Sequence, residues 1–172
     1  NFALDFKIVF YFGLYVIDDL TVDVSKMCDR ARMAVRSIKG DYLKHYTYYD
    51  STEFKRLLEE QEIINQMNSA LANKEFEVYL QPQYNHVTGN LIGAEALVRW
   101  NHPLRGLVSP IKFIPIFEKN GFITKLDEYI WERVCQILKN WTDRGISLIP
   151  ISVNMARRDI YNPRLPDILL GL

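Results

Sequence analysis

Residues 93–100, Gly-Ala-Glu-Ala-Leu-Val-Arg-Trp, place a carboxylate and a guanidinium four positions apart in an otherwise apolar segment. Alternate side chains of a β-strand share a face, so Glu95, Leu97 and Arg99 are predicted to project from the same side of one strand. Burying charged groups is costly unless they have a partner or a ligand. A carboxylate is a hard oxygen ligand for Mg²⁺ or Mn²⁺ and a guanidinium matches a phosphate, which indicates metal-assisted phosphoryl chemistry on this face.

An ion pair between Glu95 and Arg99 is the simpler explanation of the same two charges. Charged side chains inside a fold are commonly paired with each other, and such a pair would hold the strand in place. The two residues alone do not distinguish this structural role from a functional one. The segments on either side of the strand supply further information.

These flanking segments carry landmarks in a fixed order. They are Gln81-Pro82, a Thr88-Gly89 turn, His102-Pro103, residues 110–115 (Pro-Ile-Lys-Phe-Ile-Pro), and Glu118 followed three positions later by Gly121. Together with residues 93–100, their order and spacing resemble the EAL domain family, bacterial phosphodiesterases that hydrolyse the second messenger cyclic di-GMP. The resemblance implies an α/β fold of the (β/α)8 TIM-barrel type and metal-dependent hydrolysis to linear pGpG in signal transduction.

The resemblance also implies a metal site. Glu95 is the expected catalytic residue and metal ligand. Residues 152–154, Ser-Val-Asn, match a family motif that makes Asn154 a second oxygen ligand to Mg²⁺ or Mn²⁺. The motif continues to a serine where this chain has Ala156, a change that spares the ligand itself. By itself, Asn154 is better explained as a turn residue that leaves a strand.

The same resemblance implies contacts with the substrate. Gln81 and Arg99 are expected to contact cyclic di-GMP, and Leu97 is expected to line its pocket. The structural alternatives are a strand-end amide for Gln81 and a core side chain for Leu97. His102 stands before a proline at the end of a strand, which predicts a turn residue rather than a catalytic acid or base.

The charge and cysteine content limit the classes of partner. The chain has 21 Lys plus Arg and 21 Asp plus Glu residues. No global basic field results, so a nucleic-acid polymer is not an expected partner, and an anionic ligand must be held locally. Cys28 and Cys135 lie on apolar helical stripes far apart in sequence, which predicts two reduced thiols rather than a disulfide framework.

The apolar stretch from Phe6 to Ile17 is predicted to be a strand. It is rich in aromatic and β-branched residues and shorter than the roughly 20 residues that span a bilayer. Gly13 within it indicates a bulge or a close backbone approach. No signal-peptide pattern flanks the stretch. We expect this segment to be cytoplasmic and without membrane contact.

An α/β unit is predicted over residues 1–50. A strand over residues 8–17 precedes an amphipathic helix with Asp23 as its N-cap, and residues 46–49 form a second strand. The helix-plus-strand segment, with residues 27–34 in the helix and Tyr48-Tyr49-Asp50 at its end, resembles the C-terminal part of a GGDEF domain, the diguanylate cyclase-like family. The loop that names that family is not among these residues, so cyclase activity is not expected of this chain.

A helix over residues 51–73 is predicted to link this unit to an EAL region over residues 74–172. Strands and helices alternate in that region, which predicts an antiparallel strand pair followed by parallel pairing. The predicted elements are strands over 76–80, 91–100 and 148–153 and helices after Pro110, after Gly121 and over 164–172.

Residues 74–172 are far fewer than the roughly 250 of a typical (β/α)8 barrel. We therefore expect an incomplete barrel, an inactive chain when it is alone, and catalysis that belongs to a longer parent protein. A homodimer through the EAL domain is compatible with this architecture. Two alternative functions remain open: a non-catalytic cyclic di-GMP receptor or signalling scaffold, and a barrel enzyme that acts on another phosphorylated substrate.

Overall fold

The computed structural model describes residues 9–41 and 43–172. The chain divides into two units, Asn1–Glu59 and Glu60–Leu172. This division lies within the predicted linker segment, residues 51–73. The predicted strand over residues 8–17 begins outside the described residues.

The first unit contains a strand, a helix and a second strand. In chain order, they are β1 (Phe12–Leu14), α1 (Val24–Ser37) and β2 (Tyr46–Tyr48). The two strands pair in parallel, and the predicted element types are confirmed, although β1 is shorter than expected. Asp23 caps α1 as predicted, because its carboxylate accepts a 2.8 Å hydrogen bond from the amide of Ser25.

Gly13 of β1 lies directly against α1. A Cβ atom at this position would overlap the carbonyl oxygen of Ala31 and lie 2.6 Å from the amide nitrogen of Val35. Any side chain would clash with this backbone, so glycine permits the close packing of β1 on α1. The prediction of a close backbone approach at Gly13 is confirmed.

Helix α2 (Ser51–Ala72) matches the predicted helix over residues 51–73. The carboxylate of Asp50 accepts a 2.7 Å hydrogen bond from the amide of Thr52, which satisfies an amide that the first turn leaves without a helical partner. Farther along α2, Ile63 and Ala70 are buried.

The second unit is built around a four-stranded sheet. Its strands are β3 (Phe76–Tyr84), β4 (Leu91–His102), β5 (Gly106–Val108) and β6 (Ile151–Val153). Strand β4 pairs antiparallel with β3 and β5 and parallel with β6. The predicted antiparallel pair and the later parallel pairing are confirmed, and β5 is an additional strand.

Strand β6 is shorter and more exposed than the predicted buried strand over residues 148–153. Leu148 is 55% exposed and lies outside the strand. Pro150 has no amide hydrogen for a ladder, so regular pairing begins only after it. The carbonyl oxygen of Pro150 nevertheless accepts a 2.9 Å hydrogen bond from the amide of Ala94 in β4.

Helices follow the strands as predicted. They are α3 (Pro110–Asn120), α4 (Ile123–Asp143) and α5 (Leu165–Leu170), with a short 3₁₀ helix at Asp159–Tyr161. Gly145 follows α4 with a left-handed φ of 65°, which confirms it as the predicted stop of that helix.

Four aromatic side chains form the centre of the core. Phe76, Trp100, Phe113 and Phe117 are each at most 1% exposed, and the ring centroids of Phe76 and Trp100 are 5.2 Å apart. Trp100 lies on the even-numbered face of β4 together with the small, buried Ala96. Because this face is buried in the core, the odd-numbered face of β4 is left for other contacts.

The sequence predicts reduced cysteines and no membrane contact. Cys28 is exposed and Cys135 is partly buried, and both thiols are free, so the prediction of reduced cysteines agrees with this structure. Within residues 9–41 and 43–172, every helix is too short or too polar to cross a lipid bilayer.

Candidate functional site

The register of β3 against β4 assembles the first part of the site. Gln81 lies directly opposite Glu95, and Tyr79 lies directly opposite Leu97. Directly opposed residues of an antiparallel pair project from the same face. Gln81, Glu95, Leu97 and Arg99 therefore lie on one face, as the alternation of the sequence predicts for the three residues of β4.

Asn154 reaches this face from β6. Ser152 is the parallel partner of Glu95, and Asn154 follows at the end of β6. The side-chain amide of Asn154 donates a 3.1 Å hydrogen bond to Oε1 of Glu95. The two predicted metal ligands are thus in direct contact, although 59 positions separate them in sequence.

The close approach of the chain before β6 depends on Gly93. A Cβ atom at Gly93 would lie 3.0 Å from the carbonyl oxygen of Pro150. Ser152 adds a hydroxyl 3.4 Å from the carbonyl oxygen of Ala94. These contacts place β6 against β4 and bring Asn154 to Glu95.

Arg99 makes no ion pair with Glu95, although both side chains belong to the described part of the chain. Four residues of an extended strand span about 13 Å, which separates the two charges. Arg99 instead donates a 2.9 Å hydrogen bond to the carbonyl oxygen of Val98, and its guanidinium lies 5.9 Å from the ring centroid of Tyr79. The ion-pair explanation for the two charges is therefore wrong for this structure.

A cavity of about 320 Å³ adjoins the strand end. Leu97, Arg99 and Asn154 are among its lining residues, and it extends to side chains of α3 and α4. Gln81 and Glu95 are not part of that lining. Leu97 is half-buried and is not a member of the buried core cluster, so its interpretation as a core side chain is not supported.

Comparison with known proteins identifies the family. A family model described as EAL domain matches residues 64–172, which is more than half of the chain. The chain belongs to the EAL domain family. Its matched region contains all of the candidate residues described above.

Two curated relatives of the EAL domain come from Pseudomonas aeruginosa. The bifunctional diguanylate cyclase/cyclic di-GMP phosphodiesterase MucR is 30% identical over 122 residues, which cover 71% of this chain and 18% of MucR. The cyclic di-GMP phosphodiesterase NbdA is 27% identical over 142 residues, which cover 83% of this chain and 18% of NbdA. The chain thus spans about a fifth of the length of these relatives.

A solved structure of the MucR phosphodiesterase in complex with c-di-GMP has the same fold. It aligns with a TM-score of 0.60 and 30% sequence identity over 64% of this chain and 44% of that structure. The α/β architecture of this chain is accordingly that of EAL domain structures.

The chemistry of Glu95 and Asn154 fits a hard divalent cation. A carboxylate and a neutral amide supply oxygen ligands, which Mg²⁺ and Mn²⁺ prefer. Among the residues described in this EAL domain, no three or more His, Cys, Asp or Glu side chains form a cluster suited to a metal ion. Two oxygen ligands alone do not complete the near-octahedral set that such a cation takes.

Two residues of α4 that the sequence patterns do not single out contact the chain beside Asn154. The indole nitrogen of Trp131 donates a 3.1 Å hydrogen bond to the carbonyl oxygen of Asn154. The Oδ2 atom of Asp127 accepts a 2.8 Å hydrogen bond from the amide of Ala156. A carboxylate on the buried, apolar stripe of α4 is the signal that would have singled out Asp127, just as it singled out Glu95.

Asp127 is also unusual in its electrostatics. The pKa of its carboxyl is raised from 3.8 to about 7, chiefly by burial, although the hydrogen bond from the Ala156 amide acts in the opposite direction. The neighbouring carboxyl of Asp159 and the charge of Glu118 act in the same direction as burial. Asp159 is 2% exposed and accepts a hydrogen bond from the hydroxyl of Thr124 at Oδ1.

His102 has a structural role in this EAL domain, as the sequence predicts. Its ring is 5% exposed, and Nδ1 accepts hydrogen bonds of 3.1 and 3.3 Å from the amides of Leu104 and Arg105. Its Nε2 lies 2.8 Å from Oε1 of Gln66. Since Nδ1 accepts, the proton of the neutral ring is assigned to Nε2, and the histidine holds the turn between β4 and β5.

Proposed function

We propose that this chain is part of a metal-dependent phosphodiesterase that hydrolyses cyclic di-GMP to linear pGpG in bacterial signalling. The observation that carries the proposal is the contact between Asn154 and Glu95, directly across the strand pair from Gln81. In an EAL-family chain, these side chains together form part of a binding site for a divalent cation and a phosphodiester. MucR and NbdA, its relatives, are named as cyclic di-GMP phosphodiesterases.

Each candidate residue has a separate task in this proposal. Glu95 and Asn154 hold Mg²⁺ or Mn²⁺, and the chemistry that such an ion supplies when bound is a polarised phosphodiester and a water of lowered pKa. Arg99 binds a phosphate of cyclic di-GMP, because its guanidinium has no carboxylate partner within the described residues and matches phosphate oxygens. Gln81 contacts the dinucleotide beside the cation, and Leu97 lines the pocket.

The proposed setting is a longer protein. Residues 74–172 form the N-terminal part of a (β/α)8 barrel, in keeping with their alignment to less than half of the MucR phosphodiesterase structure. The missing oxygen ligands come from the rest of that barrel, and the chain alone is inactive. Residues 1–50 are the C-terminal part of a GGDEF-like domain, joined by the helix over residues 51–73. The protein acts in the cytoplasm, and its EAL domain forms a homodimer.

Turnover of cyclic di-GMP by the full-length protein that contains this chain tests the proposal. The wild type and Glu95→Gln are assayed for pGpG with Mg²⁺ and with Mn²⁺, and Glu132→Gln on α4 is the matched control because its carboxylate is exposed and distant in sequence. We expect turnover in the wild type and the control, and a loss of at least about 100-fold in Glu95→Gln, since metal polarisation supplies several kcal/mol.

Two results would contradict this function. Binding of cyclic di-GMP without turnover in the wild type would establish the receptor or scaffold. Hydrolysis of a different phosphodiester in preference to cyclic di-GMP would establish a barrel enzyme with another phosphorylated substrate.

A further inference from the structure

Two side chains of helix α4 form hydrogen bonds with the main chain of Asn154 and Ala156. Trp131 binds the carbonyl oxygen of Asn154, and Asp127 binds the amide of Ala156. The two helical residues are four positions apart, so they lie on the same face of α4. Trp131 is 3% exposed and Asp127 is 9% exposed, and Asp127 also lines the cavity beside Leu97 and Arg99.

This support matters because β6 is weakly held. The strand has only three residues, and Asn154 lies just beyond it, where ladder pairing with β4 has ended. Without other contacts, the backbone of a strand end samples several conformations. The hydrogen bond from Asn154 to Glu95 requires that the backbone adopt one particular conformation.

We propose that Asp127 and Trp131 are positioning residues that fix the backbone around Asn154 and so keep its side-chain amide beside Glu95. This inference rests on the proposed function, in which Glu95 and Asn154 hold a divalent cation. Neither residue of α4 is assigned a contact with the substrate. They affect cation binding indirectly, through the conformation of residues 154–156.

The chain offers substitutions that separate positioning from packing. Trp131→Phe keeps an aromatic ring in the buried site and removes the indole N–H. Asp127→Asn keeps an oxygen that accepts from the amide of Ala156, whereas Asp127→Leu removes the acceptor at similar volume. Trp141→Phe is the matched control, because the indole of Trp141 makes no hydrogen bond to a described residue of the same chain.

The first measurement is made without metal. Hydrogen–deuterium exchange of residues 151–158 is compared among these variants of the full-length protein. We expect faster exchange in Trp131→Phe and Asp127→Leu, and wild-type exchange in Asp127→Asn and Trp141→Phe. Thermal unfolding of each variant shows which of them are folded, and the two Asp127 variants test the inference if Trp131→Phe does not fold.

The second measurement is the affinity for Mn²⁺, with kcat and KM for cyclic di-GMP. We expect Trp131→Phe and Asp127→Leu to weaken Mn²⁺ binding by about 10- to 100-fold and to lower kcat, the usual effect of residues that orient metal ligands. KM is expected to change little, because Gln81 and Arg99 lie on other strands. Asp127→Asn is expected to restore Mn²⁺ binding.

The outcomes distinguish this inference from the proposed function. Mn²⁺ affinity within twofold of the wild type in folded Trp131→Phe and Asp127→Leu would overturn the positioning role, while a Glu95-dependent turnover would leave the phosphodiesterase intact. A wild type that neither binds Mn²⁺ nor turns over cyclic di-GMP would overturn both.

Discussion

Gln81 and Glu95 face each other directly across the antiparallel pair of β3 and β4. Their side chains project from the same face, a few ångströms apart at the Cβ atoms by the geometry of such pairs. One residue is an amide and the other a carboxylate, so they suit different tasks: under the proposed function, Glu95 binds the cation and Gln81 binds the neighbouring part of the substrate. The two tasks can be distinguished by measuring substrate KM and Mn²⁺ affinity separately.

We predict that Gln81→Ala raises KM for cyclic di-GMP by about tenfold, the loss of roughly one good hydrogen bond, and leaves Mn²⁺ affinity unchanged. Steady-state kinetics and Mn²⁺ titration of the full-length protein check both values. Gln83→Ala is the matched control, because Gln83 lies on the same strand opposite Gly93. A fall in Mn²⁺ affinity in Gln81→Ala would mean that Gln81 belongs to the metal site.

The raised pKa of Asp127 predicts a pH dependence of stability. Its carboxyl has a pKa of about 7 in the folded chain, against an ordinary value of 3.8. Between these values the folded state holds a proton that the unfolded state has released, so the stability contributed by this group is present at low pH and is lost as the pH rises toward about 7. The groups that face Asp127 and raise its pKa are Asp159 and Glu118.

Thermal unfolding of the wild type and Asp127→Asn at intervals from pH 5 to pH 8 measures this effect. The difference in unfolding temperature between them cancels the contributions of other titrating groups. We predict that the wild type loses stability relative to Asp127→Asn as the pH rises, with no further change above about pH 8. A difference that is constant with pH would show that Asp127 does not hold this proton.

Local sequence patterns were sufficient for much of the fold. The alternation in residues 93–100 predicts the shared face of Glu95, Leu97 and Arg99, since two-residue periodicity is a property of one strand alone. The N-cap at Asp23 and the stop at Gly145 also depend only on neighbouring backbone. These features were therefore predictable from the residues themselves.

Features that depend on contacts between distant segments were not predictable in this way. The start of β6 is set by its register against β4, and a proline before it shifts the first paired residue to Ile151. Strand β5 has only three residues and follows a turn that the buried ring of His102 closes. The contact of Trp131 with Asn154 requires the packing of α4 on the end of β6, which no local pattern specifies.

We predict that Gly13→Ala destabilises the chain by about 1–3 kcal/mol or more, because the added Cβ would overlap the carbonyl oxygen of Ala31. The backbone of β1 would have to move away from α1. Gly89→Asn is the control, since nothing lies within 4 Å of a Cβ there and asparagine tolerates its positive φ of 71°. Chemical denaturation measures both changes, and equal stability of Gly13→Ala and wild type would refute the close packing.

We predict that His102→Ala lowers stability by about 1–3 kcal/mol and leaves kcat and its pH profile unchanged. The substitution removes the acceptor of the Leu104 and Arg105 amides and the partner of Gln66, but no proton-transfer group. His86→Ala is the matched control, because His86 is exposed in the turn between β3 and β4. Unfolding and turnover of the full-length protein are measured at a temperature where both variants are folded. A shifted pH profile of kcat in His102→Ala would instead give this histidine a part in catalysis, because a residue that only holds a turn does not change the ionisation of the reacting groups.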